Sequence, residues 1–123
     1  MERRPRVLAI DDDQDFREGL EDVLDDLGYA VTGAASGREG LEALRTAPPP
    51  DVILLDLRMP DMDGRTFRRE QQRDSALSQI PCVVVSGSRE VEEEARSLGA
   101  AAVLAKPFRV RTLIDSIDRV TKN

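Results

Sequence analysis

Five short apolar runs punctuate the chain, at about 6–10, 29–35, 52–55, 81–85 and 101–105, and amphipathic stretches separate them. Each run has the length of a strand and is too short for a core helix. After the first run, Phe16, Leu20, Val23, Leu24 and Leu27 recur at i, i+4, i+7, i+8 and i+11. That is one face of a 3.6-residue repeat, and it predicts a helix that Gly28 stops. Ser36-Gly37-Arg38-Glu39 has the spacing of a capping box and opens a second helix with Leu41 and Leu44, which Pro48-Pro49-Pro50 ends. Val91, Ala95 and Leu98, followed by Gly99, mark a fourth helix; Val110, Leu113, Ile114, Ile117 and Val120 form the clear stripe of a fifth.

The third helical segment breaks the pattern. After Gly64 only Phe67 is apolar until Ala76 and Leu77, while Arg65, Arg68, Arg69, Glu70, Gln71, Gln72 and Arg73 crowd the middle. It reads as a solvated helix with a narrow buried edge, a docking surface being the other use of such charge. Glu90, Glu92, Glu93 and Glu94 also read as a solvated face, part of it in a first helical turn where the macrodipole favours negative charge.

Strands alternating with helices predict an α/β fold: a parallel five-stranded sheet with helices on both faces and right-handed crossovers. In such sheets the working groups lie beyond the carboxyl ends of the strands. Four runs end in polar chemistry there. Arg6–Ile10 leads into Asp11-Asp12-Asp13, Val52–Leu55 into Asp56, Cys82–Val85 into Ser86, and Ala102–Ala105 into Lys106-Pro107. Taken singly these are weak signals, since a strand-end Asp is more often a turn former or an N-cap. Asp13 or Asp15 reads as a first-turn acid rather than a ligand, and Asp63 as the N-cap of the third helix. Acids on two strands, a hydroxyl on another and an ammonium on the last, all at one edge, form a constellation that accident does not readily produce.

Size and composition narrow the rest. The 123 residues suit one domain, 1–123 with a core of about 6–120 and no effector domain in the chain. A net charge of −6 argues against direct nucleic-acid or anionic-membrane binding, and no run approaches a membrane span. The lone cysteine, Cys82, sits inside an apolar run and reads as a buried small hydrophobe, in keeping with a reducing, cytoplasmic setting. The chain has no histidine, which excludes a Ser-His-Asp triad, a His-ligated zinc and a phosphohistidine on this chain.

Crowded carboxylates repel one another unless a cation joins them. Asp11, Asp12 and Asp56 are the hard oxygen donors that Mg²⁺ takes. A carboxylate can also act as a nucleophile toward phosphorus, with Lys106 and Ser86 offering a charge and a donor for the developing phosphoryl oxygens.

Here the chain closely resembles the receiver domain of two-component response regulators. The matching pieces are Ile10-Asp11-Asp12-Asp13, Leu54-Leu55-Asp56 with Met59-Pro60 and Met62-Asp63-Gly64, Val84-Val85-Ser86-Gly87, and Lys106-Pro107-Phe108, spread from about Arg6 to Val120. The resemblance implies a flavodoxin-like (βα)5 fold with strand order 2-1-3-4-5. It implies Asp56 as phosphoacceptor, Lys106 touching the phosphoryl group and Ser86 turning to donate to it. Asp12 would bind Mg²⁺ directly, Asp11 largely through water, with Asp56 and the backbone carbonyl of Arg58 completing the protein ligands. The Lys106–Pro107 peptide would be cis. The donor would be a sensor histidine kinase or a histidine phosphotransfer protein, and the output an effector protein or domain met through the fourth helix, fifth strand and fifth helix, with a phosphorylation-dependent homodimer as a further outcome. Such a protein is a switch that assists its own phosphorylation and dephosphorylation rather than an enzyme. One departure stands out: Val103 occupies the place where the family often carries an aromatic switch residue.

Two other readings compete. Asp11-Asp12-Asp13 contains an Asp-x-Asp pattern after an apolar strand, as in aspartyl-nucleophile phosphatases of the haloacid dehalogenase type, but the chain lacks room for a cap domain. A phosphorylation-independent adaptor is the other, and the intact acid set argues against it.

Overall fold

The computed structural model describes residues 5–46, 48–57, 64–87 and 89–121, with the backbone alone for 89–91. Strands β1 (Arg6–Ile10), β2 (Ala30–Ala34), β3 (Val52–Asp56), β4 (Cys82–Ser86) and β5 (Ala102–Ala105) alternate with helices α1 (Gln14–Asp26), α2 (Gly37–Thr46), α3 (Gly64–Arg73), α4 (Arg89–Ser97) and α5 (Val110–Thr121). All strand pairs are parallel, in the order β2-β1-β3-β4-β5, which is the expected doubly wound, flavodoxin-like sheet.

Alternation along the strands divides the core in two. Leu8, Ile10, Ile53, Leu55, Cys82 and Val84 face one side and pack with Leu41, Leu44, Phe67 and Ala95 of α2, α3 and α4. Val7, Ala9, Val52, Leu54, Val83 and Val85 face the other and pack with Leu20, Leu24, Leu113 and Ile117 of α1 and α5. The central strands are buried on both faces, hence their unbroken apolar runs.

The helix ends follow local chemistry. Asp13 caps α1, its side chain accepting from the Phe16 N–H at 3.1 Å. At α2 the Glu39 N–H donates to Ser36 Oγ, and Glu39 Oε1 accepts from the Ala35 N–H, each at 3.1 Å. Gly28 and Gly99, at φ 96° and 75°, terminate α1 and α4 in the left-handed region that a side chain disfavours.

Helix α3 departs from the solvated reading. Arg68 is 7% exposed and Gln71 is 0% exposed, because both have found backbone partners. Arg68 donates through Nε to the Leu98 carbonyl (2.9 Å) and through Nη2 to the Gly99 carbonyl (3.0 Å), satisfying the open end of α4. Gln71 Nε2 donates to the carbonyls of Leu77 (2.9 Å) and Ile80 (3.0 Å), and its Oε1 accepts from Arg68 Nη1 at 2.7 Å. Nearer solvent, Arg65 pairs with Glu94 of α4 through Nη2 and Oε1 at 2.6 Å. Two positions counted in apolar stripes turn outward instead: Leu27 is 53% exposed and Val110 46%. No helix among the described residues is long and apolar enough to cross a membrane.

Candidate functional site

The register assembles the site. Ile10 pairs with Leu55, so the next residues, Asp11 and Asp56, stand side by side at the carboxyl edge of the sheet. Asp56 pairs with Val85, and Ser86 with Ala105, so Ser86 and Lys106 emerge at the same edge. The Lys106 N–H donates to the Ser86 carbonyl at 2.6 Å, tying the last two strand ends together. The Lys106–Pro107 peptide is cis.

Asp11, Asp12 and Asp56 each offer a carboxylate oxygen, and the three lie within 4.8 Å of one another. Asp11 is buried, Asp56 half-buried and Asp12 exposed, a graded cluster that opens to solvent on one side. Lys106 Nζ donates to Asp11 Oδ2 at 2.9 Å and stands 3.9 Å from Asp56 Oδ2. The Asp13 N–H donates to Asp11 Oδ1 at 2.9 Å, fixing the other oxygen of that carboxylate. Arg17 Nη1 donates to the Asp11 carbonyl at 2.8 Å. Ser86 is 5% exposed at the end of β4.

Three carboxylates against one ammonium leave a formal excess of negative charge. The donors are all hard oxygens, with no thiolate or imidazole among them, so the set fits a hard divalent cation such as Mg²⁺. Arg58, whose backbone carbonyl was an expected ligand, lies outside the described residues, as do Asp63, the expected cap of α3, and the Met59-Pro60 and Met62 motif positions. Val103, at the position expected to hold an aromatic switch residue, packs half-buried against the α2–α3–α4 core.

Two site neighbours escaped the sequence reading. Phe16 belongs to the apolar stripe of α1, yet its ring also lies under Lys106, with Nζ 4.1 Å from the ring centroid. Arg17 carried no signal beyond its charge. Their place in the first turn after Asp11–Asp13 was the available hint, because that turn begins at the same sheet edge as the acids.

Residues 7–118 match the response regulator receiver domain family, and the chain belongs to it. It is 30% identical to the chemotaxis protein CheY of Thermotoga maritima, over 95% of this chain and 98% of that one. It is 34% identical to the DNA-binding dual master transcriptional regulator RpaA of Synechocystis sp., over 94% of this chain but 52% of RpaA, so it spans about half of that relative's length. Among solved structures, chemotaxis protein CheY4 of Vibrio cholerae superposes with a TM-score of 0.87 at 35% identity, covering 96% of this chain and 99% of that one. The family consists of signalling modules of two-component systems, and the fold is that of a receiver.

Proposed function

We propose that this receiver accepts a phosphoryl group on Asp56 from a phosphohistidine on a sensor kinase or phosphotransfer protein. The observation that carries the reading is the seating of Lys106 Nζ between Asp11 and Asp56, beside three convergent carboxylates at the carboxyl edge of the sheet. A carboxylate oxygen of Asp56 attacks phosphorus, an O–P bond forms, and the P–N bond to the donor imidazole breaks. The electron pair leaves with that nitrogen, which the donor protein or solvent protonates. Negative charge on the phosphoryl oxygens is met by Lys106, a compact ammonium on a flexible stem that can leave Asp11 for the new anion. Asp11, Asp12, Asp56 and the Arg58 carbonyl would hold Mg²⁺, which when bound screens the carboxylates from one another and neutralises charge on the transferred group.

The switch then runs through Ser86. Its hydroxyl is drawn toward a phosphoryl oxygen, and the segment from Ser86 into α4 follows. The new bonds favour one of two arrangements of the α4–β5–α5 face, where an effector protein or domain, or a second receiver, would read the change. With no histidine among residues 1–123, the donor imidazole lies outside this receiver. A cytoplasmic location accords with such a donor and with the lone buried thiol.

Intact mass after incubation with Mg²⁺ and acetyl phosphate tests the reading. The wild-type chain should gain one phosphoryl group and Asp56→Asn should gain none. Labelling that persists in Asp56→Asn would reject the acceptor assignment. Repeated turnover of a phosphate ester would favour the phosphatase reading, and partner binding indifferent to Asp56→Ala would favour the adaptor.

A further inference from the structure

Lys106 has a third support besides its two carboxylates. Its ammonium lies 4.1 Å above the centroid of Phe16, well within the range at which a ring quadrupole attracts a cation. The ring is itself braced. Phe108, two residues beyond Lys106, meets it edge to face at 6.0 Å and 89°. The backbone N–H of Phe16 is tied to Asp13 Oδ1 at the α1 cap. Phe16 also lines, with Asp11, Asp56, Leu20 and Leu54, a small void of about 10 Å³ beneath the carboxylates. One aromatic plane therefore spans the gap between the acid loop after β1 and the lysine after β5.

We propose that Phe16 is a positioning residue for phosphoryl capture, its ring face holding the Lys106 ammonium beside Asp56; the inference rests on the reading of Asp56 as acceptor. The argument is one of competition. Lysine has a long stem with much rotamer freedom, so it needs anchors to stay at one place. Asp11 and Asp56 are anchors, but they are also the oxygens that a divalent cation would share, and once shared their pull on Lys106 falls. The ring is the anchor that a hard cation does not claim, because Mg²⁺ takes oxygen ligands. It shields one side of the ammonium while leaving the N–H donors free to turn toward a phosphoryl oxygen. A ring that served only as packing would be replaceable by another apolar side chain of similar bulk.

Phe16→Leu and Phe16→Tyr in the full chain separate the two roles. By NMR the ε-methylene protons of Lys106 should be shifted upfield by the ring current in the wild type and in Phe16→Tyr, and should lose that shift in Phe16→Leu. The rate of Asp56 labelling by acetyl phosphate with Mg²⁺ should fall roughly three- to tenfold in Phe16→Leu, as expected for loss of a partly desolvated cation–π contact, and stay within about twofold in Phe16→Tyr. Should Phe16→Leu not fold, site-specific fluorination of Phe16 keeps the shape and weakens the quadrupole stepwise, and labelling should slow with each added fluorine. An unchanged rate in Phe16→Leu, or a rate flat across the fluorinated series, overturns the inference. A wild-type chain that takes no phosphoryl group fails the acceptor reading instead, while the ring-current shift still reports whether Phe16 seats Lys106.

Discussion

Helices α3 and α5 do the same structural job on opposite faces of the sheet by different physics. Helix α5 buries Leu113 and Ile117 in an apolar stripe, and the gain is transfer of hydrocarbon out of water. Helix α3 buries Phe67 in the same way, but then buries Arg68 and Gln71 beside it. Those two are tolerated because their donors meet four backbone carbonyls, at Leu77, Ile80, Leu98 and Gly99, so that neither polar head is buried without partners. Apolar burial leaves a periodic trace in a sequence. Burial by hydrogen-bond satisfaction leaves none, because its partners are carbonyls distant along the chain.

The largest effects should be alike on the two faces. Phe67→Ala and Ile117→Ala each remove a side chain of no measurable exposure, and each should lower stability in denaturant unfolding by about 3–4 kcal/mol. The difference should appear one step down. Gln71→Leu keeps the bulk but takes a donor from the Leu77 and Ile80 carbonyls and the acceptor from one Arg68 N–H, and should cost about 2–3 kcal/mol despite being a polar-to-apolar change in a core. If Gln71→Leu stabilises the fold, α3 is an ordinary apolar helix and the contrast disappears. Arg68→Met, combined with Gln71→Leu, should cost less than the two singly added, since the side chains bond each other.

Alkaline pH probes each face through its own reporter. Cys82, on the α3 side, has its thiol pushed up to about 12 by burial, with the nearby Arg68 charge opposing. Tyr29, on the α5 side, is raised by burial and then by the charge and hydrogen bond of Asp118. A raised acid holds its proton longer in the folded chain than in the unfolded one. Its contribution is therefore complete below the unfolded value, 9.0 for the thiol, and is lost as pH climbs toward about 12. The stability gap between wild type and Cys82→Ala should accordingly narrow above pH 9.0 when unfolding midpoints are compared across pH. A constant gap would mean that the thiol is not held protonated by its surroundings. The smallest effect belongs to Arg65→Ala. Its pair with Glu94 is about one-third exposed, and its loss should cost less than about 1 kcal/mol, diminishing in high salt.

These contrasts explain which parts of the fold are legible in the sequence. The five strands and the apolar faces of α1, α2 and α5 follow from period and punctuation, because transfer from water dictates them. The convergence of Asp11, Asp12, Asp56 and Lys106 follows once parallel strands are inferred, since all four stand at or just past the carboxyl ends of strands. The sheet order came from the family motifs and not from periodicity. Nothing in the local pattern marks Arg68 and Gln71 as buried, or Phe16 as more than a core residue. In each case the deciding partner lies on another segment: a helix end, a loop carbonyl or the lysine after β5.

The burial of Cys82 at 1% exposure has a practical side. A thiol so enclosed and so reluctant to ionise is inert to alkylating reagents while the chain stays folded. The sequence also contains no tryptophan. One cysteine placed on the outside of α4 would thus take a dye alone, and one indole placed there would be the chain's single tryptophan, excited apart from Tyr29 at the red edge of its absorption, with no native residue to remove first.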